Sequence, residues 1–572
     1  MLAAVMIGAG IAQRTIFAEP DQAVLTTSVS SDAAVTVIDG TALNAYQGTQ
    51  SLTISGTDEV FAAYGRTTDV LGWVGDTTYN EISLDPETME LTDSLVRGSE
   101  VEVPSPAGSD LWLDEYQRDG DLALRVSVPS DFSFVVISDG VAPAPSDVRV
   151  AWPLDNATPF SGPLIVGGAV ALLLGLAFLL WAISQMRKSR GPRRKQLKMP
   201  KVPKKPRYRT ARIPLEKPTV GRRSLGRGMV AIPALLIGAL VLSGCTSGIL
   251  ATGATTVAPT PSASAESIKA QADPPAVTVS QAERIIADIS ETTAAADAAK
   301  DTTVLATRFG GAALELRTAN YAITTADPTL AALPAIPAGP IKLTLPQRTD
   351  TWPRTVFAVI QDDTDETIPS IALFLEQQDP RSQYKVTYAI TLEPSQRIPD
   401  VAQADVGADR LLPDSPVLRI TPTEIALAYA DILEKDVESD AYLDFEAEGD
   451  SLRTAVGAAY KAAERAALPT TASVAFGHAI GPAEAISLAT NDAGALIAVN
   501  LNETTTVAPI EEGAAVNTTG QVKALSGLAV SSKGVVATYG DQLLFYVPPT
   551  GSDGKIILLG YTQGLVKAGE IG

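Results

Sequence analysis

Residues 163–186, PLIVGGAVALLLGLAFLLWAISQM, decide how the rest of the chain is read. No charged side chain interrupts these 24 residues. As a helix they span about 36 Å at about 1.5 Å per residue, enough to cross a hydrocarbon core of about 30 Å. Trp181 stands near one end, where interfacial aromatics gather. Cations follow at once: Arg187, Lys188, Arg193, Arg194 and Lys195. Residues 187–227 hold 17 Lys or Arg against one acid, Glu216, while the rest of the chain holds 27 basic and 64 acidic residues. Such a cluster beside a span marks the cytoplasmic side. The sequence therefore predicts a transmembrane helix at 163–186, a basic cytoplasmic linker at 187–228, and the preceding region outside the cytoplasm. The five cations are expected to contact anionic lipid head groups, and no specific nucleic-acid binding is expected. Gly167, Ala171 and Gly175 form a small-xxx-small face suited to a helix dimer.

Working outward, residues 1–18 open on an apolar run of about twelve, short for a span, and read as a signal sequence or anchor lacking its front end. From 21 to 155 the pattern turns to short β-rich runs such as AAVTVID (33–39), QSLTISG (50–56), LALRVSVP (122–129) and FSFVVISDG (132–140). Turn residues bound each run and no long helical period intervenes, which predicts an all-β, sandwich-like extracytoplasmic domain.

A second apolar stretch covers 229–244 and ends in Leu242-Ser243-Gly244-Cys245, with Arg222, Arg223 and Arg227 ahead of it. It resembles the signal segment of a bacterial lipoprotein, in which small residues admit the protease and the cysteine thiol takes the lipid. By that resemblance Cys245, the only cysteine, is the lipidation site and Leu242, Ser243 and Gly244 its lipobox. Two outcomes stay open: cleavage with lipidation, or an uncleaved second transmembrane helix. In both the chain leaves the cytoplasm again, through a Thr/Ala/Ser/Pro-rich tether at 245–278.

Beyond it one plan is read twice, over 279–418 and 419–572. Ser280-Gln281-Ala282-Glu283 reads as a capping box before Ile285, Ile286 and Ile289, and a second helix is expected over about 304–319. The strand-like runs IKLTL (341–345), TVFAVIQ (355–361), SIALFLEQ (370–377) and YKVTYAITL (384–392) follow. Thr421-Pro422-Thr423-Glu424 restarts the plan, with a second helix near 451–468. Then come TASVAFG (471–477), ALIAVNLNE (495–503), GVVATYG (534–540), QLLFYVP (542–548) and KIILLGYT (555–562). Helices first and antiparallel strands after make two α+β units. The order resembles tandem nuclear transport factor 2-like domains, and the whole layout resembles actinobacterial membrane-anchored envelope proteins. The expectation is a multi-domain protein of the bacterial plasma membrane. It has an N-terminal β ectodomain, two transmembrane helices and a C-terminal α+β ectodomain, so that 21–155 and 246–572 are extracytoplasmic.

Chemistry is sparse. One histidine, His478, and one cysteine leave little for a zinc site or a nucleophile–histidine pair. Asp363 and Asp365 have the i, i+2 spacing to share a hard cation, a weak metal candidate in a chain with 65 acids. No phosphate loop, dinucleotide fingerprint or nucleophile elbow occurs, so no cofactor and no catalytic residue is assigned. The expected role is non-catalytic binding of other envelope proteins or a cell-wall polymer. The alternatives are an envelope enzyme acting on glycans, for which two buried acids in a deep pocket would speak, and a carrier of a lipid or apolar ligand.

Overall fold

The computed structural model describes residues 1–17, 20–100, 103–154, 158–189, 273–362 and 367–572. It divides into two units, Met1–Gln13 with Pro159–Ala270, and Arg14–Thr158 with Gln271–Gly572. Helix α1 (Leu2–Thr15) belongs mainly to the first.

In the second unit the N-terminal region is β-rich. Its strands are β1 (Gln22–Ser28), β2 (Val35–Ile38), β3 (Gln50–Ser55), β4 (Glu59–Arg66), β5 (Tyr79–Asp85), β6 (Glu90–Val96), β7 (Asp114–Asp119), β8 (Leu122–Val126), β9 (Phe132–Ile137) and β10 (Asp147–Pro153). Short helices α2 (Gly40–Leu43) and α3 (Thr67–Val74) interrupt them. One sheet runs β1-β10-β3-β8 and the other β6-β5-β2-β9-β4-β7. Alternation builds the core between them: Val148, Val150 and Trp152 of β10 meet Phe134 and Val136 of β9. The larger sheet is apolar on its outer face too, where Val135, Ile137 and Phe61 pack with Trp73 of α3 and with Trp112.

The described part of the first unit is two largely apolar helices. Helix α4 (Ser161–Ser189) contains, in Ser161–Lys188, the one helix among the described residues long and apolar enough to cross a membrane, and little of it is buried. The second apolar stretch expected to span, 229–244, lies outside the described residues. The α1 helix runs antiparallel against the start of α4. A Cβ added to Gly10 would lie 3.0 Å from the Ser161 carbonyl oxygen, and one added to Gly168 would lie 3.0 Å from that of Ala3. Gly167 meets the Met6 methyl, whereas Gly175 faces open space.

The C-terminal region is α+β. Helix α5 (Val279–Ala299) starts at a true capping box, but on Thr278 and Gln281, not on Ser280. Asp301 caps α6 (Thr302–Arg308), and α7 (Gly311–Ala326) follows after a break at Gly310. The continuous helix expected over 304–319 is therefore two. The break lets Phe309 pair with Val386, and Gly311 (φ +51°) comes close to the Thr387 carbonyl. Strands β11 (Ile341–Pro346), β12 (Arg354–Ile360), β13 (Ile371–Gln377) and β14 (Lys385–Thr391) make an antiparallel meander.

The plan recurs with α8 (Ile425–Lys435), α9 (Ser451–Val456) and α10 (Ala458–Ala467). Next come β15 (Ala472–Ile480), β16 (Ile486–Ala489), β17 (Ala495–Pro509), β18 (Val516–Asn517), α11 (Gly520–Ser526), β19 (Val530–Ser531), β20 (Val535–Val547) and β21 (Ile557–Glu570). Thr421 hydrogen-bonds the Glu424 carboxylate at 2.7 Å, but α8 has no side-chain cap. The two sheets pack back to back: Phe357, Phe374 and Tyr388 of one meet Leu488, Leu496 and Leu544 of the other. Each outer sheet face is covered by its own helices, Ile285, Ile286 and Ile289 on the first and Ile425, Tyr429 and Leu433 on the second. The order is helices, sheet, sheet, helices.

Candidate functional site

Beyond the part of its sheet that the second helix layer covers, the long strands β17, β20 and β21 run on and wall a cavity of about 600 Å³. Helix α10 supplies Tyr460, Lys461 and Glu464, β15 supplies Phe476, and the segment through β18 and α11 closes one side with Thr518, Thr519 and Val522. The volume falls within the range of about 300–1,000 Å³ typical of ligand pockets.

Phase along the strands puts charge here. In β17 the positions Ile497, Val499 and Leu501 face the helices, and Glu503 is next in that series. In β20 the series runs Val547, Phe545, Leu543, Asp541, Tyr539. Glu503 accepts a hydrogen bond from Lys461 Nζ at 2.9 Å, and both side chains are largely buried. Lys461 Nζ lies 3.3 Å from Glu434, which Arg465 contacts at 2.9 Å. Both cations sit over the Phe476 ring, at 5.9 and 5.1 Å from its centroid. Asp541 lies behind the wall, paired in register with Gln563 and fully buried. Burial first, and then the neighbouring Glu503, raises its carboxyl well above the usual carboxylate range. Gln563 eases this, yet neither Asp541 oxygen completes a hydrogen bond of good geometry. Tyr460 and Tyr539 stand close enough to influence each other, and burial raises both phenols.

A second cavity, about 650 Å³, has walls of Leu412, Pro413, Ile480 and Pro482, with Arg410 and Asn500. Arg410 is engaged by Glu376 at 2.9 Å, and Asn500 Oδ1 is buried without a hydrogen bond.

The third feature joins the two halves of the second unit. Arg354, fully buried, donates to Asp69 at 2.6 Å and stacks on Trp352 with its Cζ 3.8 Å from the ring centroid. Arg308 contacts Asp110 at 2.6 Å, both buried, and the Tyr384 amide donates to the same carboxylate at 2.7 Å. Burial raises the Asp110 carboxyl against the pull of Arg308. Arg381 donates to Glu100 at 2.7 Å and to the Trp73 and Val74 carbonyls at 2.8 Å each. Arg284 donates to the Leu113 and Trp112 carbonyls, and Gln281 to that of Leu111 at 3.0 Å. The C-terminal region thus sets arginines into acids and carbonyls of the β region.

A family model described as "Domain of unknown function (DUF8094)" matches residues 273–570, more than half of the chain. The chain belongs to the DUF8094 family. No curated protein and no solved structure matches it. The boundaries of the DUF8094 domain coincide with the helix–sheet–sheet–helix body, so the β region that docks on it lies outside the family match.

The residues singled out in the sequence do not converge on the cavity. Leu242, Ser243, Gly244, Cys245, Arg193, Arg194, Lys195, Asp363 and Asp365 lie outside the described residues. Arg187 and Lys188 are exposed in the last turn of α4. His478 is exposed and lies across from Glu503 in the β15–β17 register. Among the described residues no group of three or more His, Cys, Asp or Glu is placed to hold a metal. Lys461, Glu503 and Asp541 escaped the sequence reading, although a charge in the apolar phase of ALIAVNLNE and of DQLLFYV was a legible signal.

Proposed function

We propose that this DUF8094 protein is a membrane-anchored protein of the bacterial envelope. Its β region and DUF8094 domain are held together outside the cytoplasm, where they bind a polymer or a partner protein without catalysis. One observation carries the reading: residues before α4 are ion-paired, in buried positions, to residues after it. Two segments that share a buried interface lie on one side of a membrane. If α4 crosses, the chain between 189 and 273 crosses back, and 229–244 is the apolar stretch available for it. The cations that follow α4 favour the cytoplasm for the intervening segment.

An impermeant maleimide on intact cells tests this, using single cysteines in a Cys245→Ala background. Asp119→Cys and Asp553→Cys should label, and Ser224→Cys only after lysis. Labelling of Ser224→Cys in intact cells, or protection of either outer site, would overturn the topology.

A second reading, a glycan-acting envelope enzyme, draws support from the two buried acids at the cavity, Glu503 and Asp541. General acid–base work needs both groups within reach of a substrate. Asp541 is walled off and Glu503 is tied to Lys461, which favours binding.

A further inference from the structure

We infer that the cavity between α10, α11 and the ends of β17, β20 and β21 binds a neutral, polyhydroxylated ligand, a glycan segment rather than a charged polymer. The inference rests on the binding role above and assigns it a site and a ligand class.

Three features of the lining select the chemistry. The first is charge. Lys461 is balanced by Glu503 and Glu434, and Arg465 by Glu434. Glu464 also lines the cavity and enters no ion pair among the described residues. The uncompensated charge facing a ligand is therefore negative. A phosphate- or carboxylate-bearing ligand would meet repulsion, with no free cation among the lining residues to offset it.

The second feature is the uncharged polar surface. Thr505 and Thr519 present hydroxyls, Asn517 and Gln563 amides, and Tyr460 and Tyr539 phenols. These groups both donate and accept, which is what a ligand carrying many hydroxyls needs. The third is the apolar remainder. Val507, Val522 and Val535 alternate with the polar groups, and two tyrosine rings offer flat faces for the C–H side of a sugar ring. Phe476 does not serve so, because Lys461 and Arg465 occupy its vicinity. A purely apolar ligand fits poorly, since it would strip water from hydroxyls and from the Lys461–Glu503 pair without replacing its hydrogen bonds.

Buried Asp541 gives the wall a second role. A fully buried carboxyl behind Glu503, Tyr539 and Gln563, with neither oxygen completing a hydrogen bond of good geometry, is costly, and such cost collects where a surface is kept for a ligand rather than for packing.

The test is calorimetric titration of the full-length protein in detergent. The probes are neutral hexasaccharides of glucose, mannose, galactose, arabinose and N-acetylglucosamine, with hexagalacturonate as the anionic comparison. At least one neutral probe should bind more tightly than about 1 mM, and hexagalacturonate should bind at least about tenfold more weakly. Val522→Trp, which fills the cavity from α11, and Tyr539→Ala should each weaken the neutral probe by about tenfold or more. Unchanged thermal transitions would show that both variants fold. The inference is overturned if no neutral probe binds at about 10 mM, if the anionic probe binds more tightly, or if Val522→Trp leaves affinity unchanged. Purified protein reports the site whatever its membrane topology, so this experiment and the maleimide labelling fail independently.

Discussion

Asp541 shows how much a single buried residue sets the behaviour of the domain around it. Its carboxyl is raised by burial and by Glu503, so the folded state keeps a proton that the unfolded chain releases near the ordinary value of about 4. Between those two values the folded state binds more protons than the unfolded state, and stability therefore falls as pH rises through that window. Glu376 and Asp450, raised chiefly by burial as well, act in the same direction. Asp541→Asn removes the largest contribution. The variant should therefore be the more stable of the two at about pH 8, and its advantage should shrink towards about pH 5. Urea unfolding at about pH 5 and about pH 8 checks this, with the wild type the more pH-dependent of the two. Equal slopes would mean that water or an unseen partner already satisfies the group.

At the scale of elements, the capping box of α5 offers the sharpest contrast between sequence and structure. Two boxes are written into TVSQAE, and the structure uses Thr278 with Gln281: the Thr278 amide donates to the Gln281 amide oxygen at 3.0 Å, and the Gln281 amide to Thr278 Oγ1 at 3.3 Å. Thr278→Ala should cost about 1 kcal/mol of stability, whereas Ser280→Ala, at an exposed helical position, should stay within about 0.5 kcal/mol. Denaturant midpoints of the two variants decide between the boxes. The strands were legible because their apolar runs are bounded by turn residues, as in YKVTYAITL, which became β14. Breaks and fusions were not. The helical period runs unbroken through RFGGAALEL; its Gly310-Gly311 pair reads as a packing or kink feature, and the approach of β14 to it shows that two helices meet there. Conversely, Gly540 looks like a turn between GVVATYG and QLLFYVP, yet β20 runs straight through it, with the Val566 side chain packed where a Cβ would stand. The cavity was illegible for a related reason. Glu503 and Asp541 become neighbours only once β17 and β20 align, and Lys461 reaches Glu503 from a separate helix.

At the scale of the whole molecule, the interface between the β region and the DUF8094 domain carries the largest prediction. Most of its polar links come from arginines at 284, 308, 354 and 381, on four different elements or loops, joined by Gln281, the Tyr384 amide and Arg66, so no local pattern announced them. Breaking one member of a buried ion pair costs about 3–5 kcal/mol because the other charge stays uncompensated. A site for a specific protease inserted within 200–220 would cut the full chain between its halves. The halves should then still co-elute after cutting. Asp69→Ala combined with Asp110→Ala should release them, each substitution weakening association by about 10²–10³-fold. Both halves carry apolar segments, so a shared detergent micelle alone would hold wild type and variant equally. Replacing a whole pair, Arg354→Met with Asp69→Leu, should preserve docking, since the desolvation cost of the charges disappears with their attraction. Separation of the wild-type halves at micromolar concentration would mean that the covalent linker keeps them together. Co-elution that survives Asp69→Ala and Asp110→Ala would overturn the role of the ion pairs, and its loss on adding Trp352→Ala would separate apolar packing of Trp352 against α3 near Gly72 from a shared micelle.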